Sequence, residues 1–148
     1  MIKNERQYRI TTTQVERFER ALDRIRARPF SPDENERALQ QLEEEALISQ
    51  LDDLRQELSE FNALRSGEEI AIPAATFHEL PRALIQARIA RGLSQRALAE
   101  RIGIKEQQVQ RYEATDYAGA SLARIGQVID ALEVDVQDAV IVPARSSA

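Results

Sequence analysis

Between positions 95 and 111 the chain gathers Gln95, Arg96, Lys105, Glu106, Gln107, Gln110 and Arg111. The chemistry open to this set is hydrogen bonding to flat polar edges and to phosphates. A Gln amide offers a donor and an acceptor that match the adenine edge, and an Arg fork matches guanine. Glu106 can accept from the cytosine amino group or sit as an acid in the first turn of a helix. Lys105 is a point charge suited to phosphate. Gln107 and Arg111 are four residues apart, so on a helix they share one face.

The rest of the chain offers little competing chemistry. There is no Cys, so neither a thiolate metal site nor a Cys–His arrangement can be assembled, and His78, the single His and so without a second His to share a metal, reads as a linker residue without chemistry. Glu43, Glu44 and Glu45, like Asp52 and Asp53, are consecutive and point to different helix faces, as solvated acids do. No Gly-rich phosphate loop is present. The expectation is a protein with no catalytic residue, no metal and no cofactor.

The net charge of −5 hides an uneven distribution. Residues 81–113 carry Arg82, Arg88, Arg91, Arg96, Arg101, Lys105 and Arg111 against Glu100, Glu106 and Glu113, a local +4. Each flanking segment is acidic. A phosphate backbone responds to this local field within a Debye length and not to the total. The N-terminal residues are too polar for a signal peptide, and the longest apolar run, Ile70 to Ala75, is far short of a membrane helix. A soluble, cytoplasmic protein without a membrane partner is expected.

Short helices must position these side chains. Leu84, Ile85 and Ile89 line the first, which ends at Arg91-Gly92. Ser94 caps the second, Gln95 to Ile102. Gly103 supplies a positive φ for a tight turn. The third helix runs from Lys105 to Ala114 with Val109 and Tyr112 inward. Ser121 caps a fourth, striped by Leu122, Ile125, Val128, Ile129 and Leu132. Ala99 is small where the second and third helices cross. Leu98, Ile102, Ile104 and Val109 form the core of that pair, so Lys105, Glu106, Gln107, Gln110 and Arg111 project outward.

Upstream, Thr11 with Gln14 has the form of a capping box, and Val15, Phe18, Leu22 and Ile25 form an amphipathic stripe. Pro29 interrupts. Ser31-Pro32-Asp33-Glu34 restarts a long helix striped by Leu47, Leu51, Leu54, Leu58 and Phe61, a heptad pattern. The two helices form an antiparallel hairpin over 1–65. The stripe left over on the longer helix either packs on the C-terminal domain or meets a partner. Residues 66–79 form a linker, 80–143 the C-terminal domain and 144–148 a disordered tail. Glu69–Pro73 and Ala139–Val142 have the character of short strands.

The run Ser94-Gln95-Arg96-Ala97-Leu98-Ala99-Glu100-Arg101-Ile102-Gly103-Ile104, followed by Val109-Gln110-Arg111-Tyr112-Glu113, resembles the Xre-type helix-turn-helix of phage repressors and Cro. The resemblance covers Pro81 to Val136. With the hairpin, the chain is also similar to Xre-type proteins described as HigA-like antitoxins. The resemblance implies an all-α fold, with the hairpin followed by a lambda-repressor-like domain of four to five helices. It implies that Gln95 bonds backbone phosphate and that Glu106, Gln107 and Arg111 face bases, with Gln110 beside them. Lys105 departs from the family's Ser or Thr cap. The loop after Glu113 departs from its Gly and Pro pattern and leaves Thr115 and Tyr117 as phosphate candidates. The implied function is a sequence-specific transcription regulator: a repressor, acting on double-stranded DNA as a homodimer. The alternative is an antitoxin that neutralises a protein toxin through the hairpin and represses its own operon.

Overall fold

The computed structural model describes residues 1–67, 71–74 and 76–137. All regular structure among them is helical. The helices are α1 (Glu5–Arg26), α2 (Glu34–Arg65), α3 (Leu80–Ala90), α4 (Gln95–Ile102), α5 (Glu106–Ala114) and α6 (Leu122–Leu132), with a single 3₁₀ turn at Phe77–Glu79 before α3. The all-α expectation is therefore met. Residues 71–74 have no regular structure, and the rest of the two expected strands, like the tail, lies outside the described residues.

Helix α1 begins earlier than the Thr11 box predicts. Asn4 is the cap, its side chain accepting from the Gln7 N–H at 2.9 Å. Thr11 lies a turn and a half inside and is buried. Thr12 and Thr13 donate their hydroxyls to the Tyr8 and Arg9 carbonyls, which is how Thr is accommodated within a helix. At the second start, Asp33 caps in place of Ser31, accepting from the Asn35 N–H at 2.8 Å.

Helices α1 and α2 pack antiparallel over a small core of Val15, Leu22 and Leu51, joined by Phe18, Leu47, Ile48 and Leu54. The root of the hairpin belongs to a second, larger core. There Ile2, Phe61 and Leu64 pack with Leu84, Ile85, Leu98, Val109, Val128 and Leu132 from the four C-terminal helices. Leu58 touches both cores. Tyr8 stacks on Phe61 with ring centroids 5.3 Å apart, and the Arg65 guanidinium lies 5.4 Å from each ring. The leftover apolar stripe of α2 is thus spent within the chain. Of the large apolar side chains left open on the hairpin, Ile10, 56% exposed, lies near the root, and the others lie towards the tip: Phe30 is 82% exposed, Leu39 58% and Leu42 63%.

Candidate nucleic-acid interface

Helix α4 starts where the Ser94 hydroxyl accepts from the Ala97 N–H at 3.0 Å. It ends at Gly103, whose φ of 71° is the left-handed cap that only Gly adopts without strain. The chain then turns through Ile104 and Lys105 into α5. Leu98 and Ala99 on α4 and Val109 on α5 are almost wholly buried, with Ile102 and Ile104 packed around them. The small side chain at Ala99 lets the two helices approach.

This packing decides what faces solvent. Lys105, Glu106, Gln107, Gln110 and Arg111 are all exposed. Lys105 stands at the cap position of α5 and makes no cap with its side chain. Glu106 accepts from the Gln110 amide at 3.1 Å, across one helical turn. Among the described residues Lys105 and Arg111 form no ion pair, and the Gln107 amide makes no side-chain hydrogen bond. Arg96, on the exposed side of α4, donates to Glu100 at 2.9 Å, and that hydrogen bond, with the charges of Glu100 and Glu106, raises its pKa above the ordinary Arg value.

Gln95 differs from the expectation of an open side chain. It is buried, and its amide donates to Glu113 Oε2 at 2.7 Å. Glu113, only 1% exposed, also pairs with Arg88, 3% exposed, through Nε–Oε1 at 2.6 Å and Nη2–Oε2 at 2.8 Å. Arg88 reaches on to the carbonyls of Leu93 and Lys3. Lys3 in turn donates to the Glu113 carbonyl at 2.6 Å and to Asp116 at 2.7 Å. The Glu113 carboxylate therefore ties α5 to α3 and α4, while its backbone carbonyl, with Asp116, holds Lys3 of the segment entering α1.

Sequence patterning alone counts Arg88 and Glu113 among the surface charges and misses this network. A signal was present: Glu113 lies four residues after Val109, on the same inward face of α5. The local +4 is also redistributed. Arg91 donates to the Leu132 and Glu133 carbonyls and Arg101 to the Ala131 carbonyl, closing the C-terminal end of α6. Arg96, Lys105 and Arg111 remain around the α4–α5 face.

The loop after α5 carries two successive left-handed residues, Asp116 (φ 47°) and Tyr117 (φ 59°). Tyr117 is buried against Tyr112, ring centroids 5.8 Å apart, and is not open to phosphate. Burial pushes its hydroxyl well above the usual tyrosine pKa, helped by the charge of Glu113. Thr115 is exposed, with its hydroxyl 3.2 Å from the Arg111 carbonyl.

Four short helices, the second and third joined by a Gly turn and carrying an open polar face, define a helix-turn-helix domain on the root of a helical hairpin. Residues 84–138 match the family model described as Helix-turn-helix. Comparison with curated proteins and with solved structures gives no match. Among the described residues no helix is long and apolar enough to cross a membrane.

Proposed function

We propose that the protein is a sequence-specific regulator of transcription that lays α5 in the major groove of duplex DNA. The observation that carries this reading is the outer face of α5. Lys105, Gln107 and Arg111 are exposed, and the two cations form no ion pair among the described residues, while the opposite edge of the same helix is held by the buried Arg88–Glu113 pair. Open donors on a rigidly held helix are what groove reading requires. Gln107 and Arg111 contact base edges, with Gln110 and Glu106 beside them. Lys105 and Arg96 meet phosphate. Gln95, buried with its amide on Glu113, supports the start of α4 from within.

The protein acts as a repressor and as a homodimer. A second reading, an antitoxin, is favoured by the open apolar side chains of Phe30, Leu39 and Leu42 at the hairpin tip, which suit a protein partner.

The test is affinity for a duplex from the protein's own upstream region and for a scrambled duplex, across a salt series. Arg111→Ala or Gln107→Ala is expected to cost about 1–3 kcal/mol on the specific duplex and little on the scrambled one. Lys105→Ala should weaken both and lower the salt slope by about one unit. Equal weakening of both duplexes by Arg111→Ala would remove α5 from the groove.

A further inference from the structure

Helix α1 carries six arginines against four acids, and the two sets are segregated. At 3.6 residues per turn, Arg6, Arg9, Arg17, Arg20 and Arg24 fall within about a quarter-turn of one another, opposite the buried Thr11, Val15 and Leu22. All five are exposed. The acids lie towards one border. Glu5 and Glu19 there pair with Arg65 and Arg55 of α2, at 3.1 and 2.7 Å. Glu16 comes within 3.8 Å of Arg20. Arg6, Arg9, Arg17 and Arg24 are left with no acidic partner among the described residues. The row they form is about 27 Å long at 1.5 Å per residue.

The stripe is continuous with the face of α5. A groove of about 810 Å³ separates the start of α1 from α4 and α5, with Arg6 and Ile10 on one wall and Glu106 and Gln110 on the other. A shallower groove, sharing Ile10, runs on past Arg9 and Arg17. The geometry of α1 against α5 is held by Lys3, which bonds Glu113 and Asp116, and by Arg88, which bonds the Lys3 carbonyl.

We infer that the arginine stripe of α1 is a phosphate-binding arm that engages the backbone of the same duplex whose major groove receives α5. The inference rests on the DNA-binding reading above. Charge complementarity and continuity with that face both point to the duplex. An acidic protein would need an apolar centre to its interface, and Ile10, 56% exposed, is the one large apolar side chain standing open on α1. With duplex charge spaced at about 3.4 Å per strand, the stripe spans about eight base pairs of backbone. It adds affinity without reading sequence, since phosphate contacts position and base contacts specify.

The experiment uses the full chain carrying Arg9→Gln, Arg17→Gln and Arg24→Gln together, which keeps three good helix formers on an exposed face. The same three positions changed to Lys form the charge-retaining control. Far-UV circular dichroism and melting establish that each variant is folded. Affinity is measured on a duplex of about 30 base pairs from the upstream region and on a scrambled duplex of equal length, from low to moderate salt. The Gln variant should bind both duplexes at least about tenfold more weakly at low salt. Its salt slope should fall by about two to three units, at about 0.9 for each phosphate no longer neutralised. The Lys variant should keep the wild-type slope. If the wild type binds a duplex and the Gln variant matches its slope, the arm is overturned and the α5 reading stands. If the Lys variant's slope falls as far as the Gln variant's, charge is not what the arm supplies, which also overturns it. If the wild type binds no duplex, both readings fall.

Discussion

At the scale of single residues, the Arg88–Glu113 pair governs the geometry of the interface. Two charges removed from water are expensive, and the cost is offset only because the buried oxygens and N–H groups of the pair find partners. Glu113→Ala should therefore cost about 3–5 kcal/mol, measured by denaturant unfolding, because it strands a buried guanidinium. Arg88→Met combined with Glu113→Leu should restore much of that stability yet remove the bond of Gln95 to α5 and that of α3 to the Lys3 carbonyl. A double variant no more stable than Glu113→Ala would show that packing, not the unpaired charge, dominates. Tyr117 gives a second residue-scale expectation. Its folded pKa is raised, so the stability it contributes is fully present below the unfolded tyrosine value of about 10 and is lost as pH climbs above it. Tyr117 should resist ionisation until the fold gives way. Tyr117→Phe should remove that late step from a spectrophotometric titration. An unchanged titration would place Tyr117 at the surface.

At the scale of elements, α4 and α6 are specified by their ends. Ser94 and Ser121 cap α4 and α6 through their hydroxyls, and Gly103 closes α4 at positive φ. The end of α6 breaks the pattern, because Glu133 adopts the left-handed conformation at φ 52°. That conformation costs a non-Gly residue about 1–2 kcal/mol. Glu133→Gly should accordingly raise the melting temperature, recovering much of that cost. The backbone carbonyl that Arg91 binds would be kept. A lower melting temperature would mean that the exposed Glu133 side chain, 4.0 Å from Arg91, matters more than its backbone.

At the scale of the whole molecule, hairpin and helix-turn-helix share a core. Phe61 and Leu64 of α2 and Ile2 ahead of α1 are buried with the C-terminal helices, and Leu58 links this core to that of the hairpin. Leu51, at the centre of the hairpin core, is 1% exposed. Leu51→Ala should cost about 2–5 kcal/mol. Because the cores are joined, the destabilisation should shift one cooperative transition, seen together by far-UV circular dichroism and by tyrosine fluorescence. Two separate transitions would mean that the hairpin folds as an independent unit. The same connection makes the hairpin a handle on α5, since what moves the start of α1 also pulls on Lys3 and Glu113.

The sequence alone determined the helical class, the Ser94 and Ser121 caps, the positive φ at Gly103 and the exposed set from Lys105 to Arg111. All of these are local: periodicity, capping chemistry and turn geometry act within a few residues. Tertiary structure decided what local patterns do not encode. The start of α1 at Asn4 was hidden because Thr11, a good cap by type, is turned inward by packing. The burial of Gln95, Glu113 and Tyr117 follows from what α3, α5 and the first residues of the chain bring together across 18 to 110 positions. A polar side chain carries no mark in the sequence that says whether its partner is water or a distant charge. Only the fold, by excluding water around Glu113 and supplying Arg88, settled that a surface-type residue holds the interface from within.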